Sequence, residues 1–217
     1  MIKRLFIVVL ISVFLSSCNI ADKLGFDTYD YMGELVLTTH AADSEIALSL
    51  EEVLDILISD TLNLNTFDNM SEAIKEYRDE VLNYILETEY AKYSGNLDMI
   101  QKAETAYPEY DITQIIPADD FEAVMYRYFG GNVKITHGDS ERFLYLPRVE
   151  SYIPAINPNP SSKFSKISSL TETQKTYRVV FNVYDNEGNM SEEYFALIIK
   201  RDDGTQYIKK LILNIEV

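Results

Sequence analysis

The chain predicts an α+β fold in which a helical N-terminal half packs against a C-terminal half built on an antiparallel β-meander. Three observations predict it. Apolar residues recur at helical spacing over most of the stretch from residue 49 to 129, and period-two alternation takes over in the last third. The two regimes follow one another instead of interleaving, which argues against a doubly wound parallel sheet. With 47% of its 217 residues hydrophobic the chain can bury a proper core, so one domain or two closely packed halves is the expected count.

Lys3 and Arg4 precede the apolar run Leu5–Leu15, eleven residues carrying one hydroxyl. Spanning a membrane takes about 20 apolar residues, so this run has the length of an export-signal core. Leu15-Ser16-Ser17-Cys18 follows, two small residues before the only cysteine in the chain. Basic start, apolar core and this tetrapeptide together resemble the lipobox signal of bacterial lipoproteins. The resemblance implies cleavage between Ser17 and Cys18, a diacylglyceryl group on the Cys18 sulfur, and residence on the extracytoplasmic face of a bacterial membrane. An exported chain with one cysteine has no internal disulfide partner, and acylation accounts for the residue. Stable anchoring generally needs two acyl chains or a second signal, which a diacylglyceryl group supplies. The expected organisation is a signal peptide at 1–17, a short tether at 18–30, a helical region at 31–107 and an α+β region at 108–217.

A first helix is expected from about Tyr31 through Leu37. Ser49-Leu50-Glu51-Glu52 has the form of a capping box, with Val53, Leu54, Leu57, Ile58 and Leu62 following on one face. Asn69 with Glu72 opens a helix whose stripe is Ile74, Tyr77, Val81, Ile85 and Thr88 and which should stop near Gly95. Its outer face holds Glu72, Lys75, Glu76, Asp79, Glu80 and Glu87, with like charges at i,i+4. Asn96 caps a helix to about Ala106, ended by Tyr107-Pro108 because the residue before proline disfavours helical geometry. Residues 108–116 read as a connector. Pro117-Ala118-Asp119-Asp120 opens a helix with proline early and acids at the positive end of its dipole. Phe121, Val124, Met125 and Tyr128 form its stripe, and Gly130-Gly131 closes it.

Short strands are expected at Val133–Thr136 and Arg142–Leu146 around a His137–Ser140 turn. Tyr152–Ser162, with Pro154, Pro158 and Pro160, reads as a loop without a regular ladder. A strand near Lys166–Leu170 leads into Tyr177–Val183, where Tyr177, Val179, Phe181 and Val183 alternate. Asp185–Asn189 turns the chain into Tyr194–Ile199. Asp202-Asp203-Gly204, read as a type I′ turn, leads into Tyr207–Ile215. The layout from Asp119 onward, a helix and then antiparallel strands, resembles the nuclear-transport-factor-two-like or cystatin-like domains. That resemblance implies a curved sheet with a pocket beneath its helix.

Functional readings follow from charge and side-chain type. Removing residues 1–17 deletes two of the 19 bases and none of the 35 acids, leaving 17 against 35 and a formal charge of −18. Such a surface repels phosphate backbones, so nucleic acid is not an expected partner. A basic protein or peptide is. The chain has 16 tyrosines and no tryptophan. They read first as strand and helix positions and second as a recognition surface. His137-Gly138-Asp139-Ser140-Glu141 gathers a base, two acids and a hydroxyl, but no G-x-S-x-G elbow or H-E-x-x-H pair accompanies it, so a polar turn is the simpler reading. His40 and Asp43 likewise read as a turn pair. Asp185–Asn189 lacks calcium-loop spacing and reads as a hairpin turn. No catalytic residue, metal site or cofactor is expected, and the chain reads as a non-catalytic binding module. Its alternative is an envelope enzyme or small-ligand binder with a pocket between helix 118–129 and the C-terminal sheet, drawing on Tyr128, His137, Asp139 and Tyr145. The anchor itself is testable: Cys18→Ala is expected to abolish labelling by an alkyne fatty acid and to move the protein out of the membrane fraction, whereas unchanged labelling would refute acylation at Cys18.

Overall fold

The computed structural model describes residues 36–58, 62–131, 133–155 and 162–214, so the expected signal segment and tether, with Ser17 and Cys18, lie outside the described residues. The elements in chain order are β1 (Thr38–His40), α1 (Glu45–Leu54) continuing as a 3₁₀ turn (Asp55–Leu57), α2 (Met70–Glu76), α3 (Arg78–Thr88), α4 (Tyr90–Ser94) and α5 (Leu97–Ala106). Then come β2 (Ile116–Pro117), α6 (Ala118–Phe129), β3 (Phe143–Leu146), β4 (Ser151–Pro154), β5 (Phe164–Glu172), β6 (Thr176–Tyr184), β7 (Tyr194–Lys200) and β8 (Gln206–Leu213). The fold class is α+β, as expected. A five-stranded antiparallel sheet has the order β1-β5-β6-β7-β8, and a three-stranded one has the order β2-β4-β3.

Tyr177, Val179, Phe181 and Val183 of β6 do share one buried face, joined by Tyr194, Ala196 and Ile198 of β7. On the flanking strands the inward residues are spaced by three: Ile167 and Leu170 in β5, Ile208 and Leu211 in β8. A bulge in each strand explains this, because the register skips one residue between Ile167 and Ser169 and again between Ile208 and Lys210. The β6–β7 and β7–β8 turns have three-residue loops each closed by a left-handed glycine, Gly188 (φ 85°) and Gly204 (φ 84°). The expected type I′ turn at Asp203-Gly204 is therefore corrected. Asp203 is not among the residues with positive φ, and the loop is the type I turn with a glycine bulge, closed by Arg201 N–H to Thr205 O at 2.8 Å.

Leu50, Leu54 and Leu57 of the α1 segment, Val81, Leu82 and Ile85 of α3, and Phe121, Met125 and Phe129 of α6 cover that face, each at most 2% exposed. The helix starts depart from the sequence in one place. Ser44, not Ser49, caps α1, its hydroxyl accepting from Ala47 N–H at 3.2 Å, so α1 begins five residues earlier. Asn69 and Asn96 cap as expected. The single helix expected from 69 to 95 is three, broken at Tyr77 (φ −118°, ψ 17°) and Glu89 (φ −127°, ψ 32°). At Tyr77 the gain is visible: its ring packs against Phe67 and Phe129, and its hydroxyl donates to Asn65 O.

The expected helix at 31–37 lies mostly outside the described residues. Where it is described the chain is not helical, and Thr38–His40 is instead the edge strand beside β5. Two β-branched residues favour that choice, and Leu37 N–H extends the pairing to Glu172 O at 2.9 Å. His40 does not pair with Asp43. Its Nε2 meets Glu172 Oε2 at 2.7 Å, while Lys200 Nζ lies 2.8 Å from Glu172 Oε1. The rest of the β5 edge is covered by α1, as Ser165 N–H donates to Asp55 Oδ1 (3.1 Å) and Ile167 N–H to Glu51 Oε1 (2.8 Å). Residues 152–154, the start of the stretch Tyr152–Ser162 read as loop, belong to Ser151–Pro154, the middle strand of the small sheet, with Pro154 tolerated as its last residue. Pro158 and Pro160 lie outside the described residues. The connector 108–116 is not idle, since Ile112 and Ile115 join Ile100, Ala103, Leu146 and Ile153 in a second small core.

Two measurements check this architecture. Gly130 has φ 92° and ψ 169°, and a Cβ there would stand 3.1 Å from the Tyr207 ring. Gly130→Ala is expected to cost about 1–3 kcal/mol in urea denaturation, and an unchanged midpoint would contradict the geometry. Lys200 first and His40 second hold the Glu172 carboxyl below its ordinary value of 4.5. A lowered carboxylate adds stability above its ordinary value and loses it as pH falls through the lowered one. The stability gap between wild type and Glu172→Gln should accordingly be present at pH 7 and narrow as pH falls below 4.5.

Candidate functional site

The segment from Val133 to Arg142 was expected to begin with a strand, and among its described residues it has none. Its backbone groups are taken by side chains. Tyr126 OH donates to Val133 O (3.3 Å), and the Arg78 guanidinium forks onto Thr136 O (2.7 Å) and Gly138 O (3.0 Å). Arg78 is the first residue of α3, so the break at Tyr77 aims this fork. With their carbonyls committed to arginine and tyrosine, residues 133–138 do not pair as a strand. The segment then runs beside β3. Phe143 N–H donates to Ser140 Oγ at 3.2 Å and Tyr145 N–H to Asp139 Oδ1 at 2.8 Å, so Asp139 serves as an edge cap.

His137 points inward from this segment, its side chain 17% exposed. Nε2 lies 2.9 Å from Glu122 Oε1 and Nδ1 lies 3.0 Å from the Tyr152 hydroxyl. The ring stacks on Tyr145 at 5.0 Å and 19°, with Phe121 edge-on at 6.3 Å. An ionised carboxylate only accepts, so in the neutral imidazole Nε2 carries the proton and Nδ1 accepts from Tyr152. Burial pushes the Tyr152 hydroxyl up to about 12, keeping it protonated and able to donate. Both nitrogens are thus occupied by the protein's own groups. Ser140, three residues on, donates instead to the Asp79 carboxylate. The arrangement pins the segment to α6 and β4, and it leaves His137 no nitrogen to serve as a base toward Ser140 or toward a substrate.

A cavity of about 660 Å³ opens on the other side of the segment, between it and the junction of α2 with α3. Carboxylates of Glu76, Asp79, Glu80, Asp139 and Glu141 line it, against the bases Lys75, Arg78 and Lys134. Lys75 reaches Glu76 Oε1 at 3.1 Å, and both terminal nitrogens of Arg78 are engaged by main-chain carbonyls. By formal charge the lining is acidic, five carboxylates against three bases, and Glu76, Asp79 and Asp139 are themselves engaged by Lys75, Ser140 and the Tyr145 amide. Glu72 and Glu87, expected on the same acidic face, take local roles: Glu72 completes the α2 cap and Glu87 accepts from Asn83 at 3.0 Å.

Of the four pocket candidates the structure brings three together. His137 stacks on Tyr145, and Asp139 caps the Tyr145 amide. Tyr128 lies apart, its hydroxyl 2.8 Å from that of Tyr84 and held well above the ordinary tyrosine range by burial. The space between α6 and the large sheet, where a pocket was expected, holds the packed side chains of Phe121, Met125 and Phe129. Among the described residues no three His, Cys, Asp or Glu side chains converge to hold a metal ion, so His137, Asp139 and Glu141 do not form a ligand set. No described helix is long and apolar enough to cross a membrane. Sequence reasoning missed Arg78, Glu122 and Tyr152. No local signal marks them, because each role rests on a partner at least 15 residues away in the chain.

The array predicts coupling. His137→Ala strands the buried Tyr152 hydroxyl and is expected to cost about 1–3 kcal/mol. Combined with Tyr152→Phe, the two losses should fall short of additivity by at least about 0.5 kcal/mol. Strict additivity in chemical denaturation would show that the two side chains do not act as a unit. No family model, no curated protein and no solved structure matches this chain.

Proposed function

We propose that this chain is a lipid-anchored protein of the bacterial cell envelope, held on the extracytoplasmic face of the membrane through diacylglyceryl-Cys18, and that its folded domain is a non-catalytic binding module for a basic protein or peptide. The N-terminal residues Lys3, Arg4, Leu5–Leu15 and Leu15-Ser16-Ser17-Cys18 support the location. The observation that carries the binding reading is the cleft between the α2–α3 junction and residues 133–141, where five carboxylates face three bases. A lysine or arginine side chain entering it meets acceptors on both walls. Bases and carboxylates there are both partly committed within the protein, and an anionic ligand would meet the larger set of like charges. The engagement of both His137 nitrogens supports a binding role over a catalytic one for the neighbouring turn.

Two wall positions, the exposed Glu141 and the half-buried Glu76, suit a test that spares the fold, because neither caps a strand edge. Full-length protein in detergent is titrated calorimetrically with a hexa-arginine peptide at low and high salt, alongside Glu76→Lys/Glu141→Lys. Binding that weakens with salt, and weakens roughly tenfold or more in the variant, is the expected outcome. Equal affinity for both proteins would remove the cleft as the docking place. Crosslinking in intact cells supplies the partner: a specific protein captured by wild type and lost from both the double variant and Cys18→Ala supports the whole reading, and capture unaffected by either change overturns it.

A further inference from the structure

We draw no further inference here: the strongest candidate, the Glu122–His137–Tyr152 side-chain cluster between α6 and β4, has both imidazole nitrogens engaged by the protein's own groups, and the acid-lined cleft beside it belongs to the site already described.

Discussion

Hydrogen bonds from strand-edge amides to side-chain oxygens tie the layers of this protein together. An antiparallel sheet ends in a row of unpaired N–H groups, and each one buried without an acceptor costs about 1–3 kcal/mol. Glu51 and Asp55 close the β5 edge from α1, and Asp139 and Ser140 close the β3 edge from the segment before it. Each bond also fixes where a distant stretch of chain must lie. Glu51 sits 116 residues from the amide it accepts, so the position of α1 against the sheet is set by polar geometry as well as by the burial of Leu50 and Leu54. The same contacts block strand addition by another molecule.

The acidity of the chain is therefore divided between two kinds of work. Glu51, Asp55, Glu122, Asp139 and Glu172 accept hydrogen bonds that hold elements in place. Burial raises the Asp55 carboxyl, the bonds from Ser165 acting against that rise, as expected for a carboxylate whose role is to accept bonds inside the fold. Glu76 and Glu141 close no strand edge and instead add charge to the cleft.

The cleft depends on a helix break. Had residues 69–95 formed one straight helix, Arg78 would have continued a surface row. Tyr77 instead leaves helical geometry to pack between Phe67 and Phe129. Arg78 then begins a new helix with its guanidinium on the carbonyls of residues 136 and 138. One wall of the cavity is thus made of side chains that open α3, and the other of a segment that α3 itself holds open.

The sequence by itself determined the fold class, most helices, two of the three asparagine and serine caps and the meander, because these rest on local periodicity and on side chains that bond within three or four residues. It also carries the stretch Leu15–Cys18 that resembles a lipobox, a linear pattern. Tertiary structure decided what local rules cannot reach. A bulge that changes which residues of β5 and β8 face inward, a strand at residues 38–40 and a proline-ended strand at 151–154 each require a partner strand to form at all. His137 and Asp139 could be named as candidates from composition alone. That one would be locked between Glu122 and Tyr152 and the other spent on a strand edge follows only from which elements the shared core brings into contact.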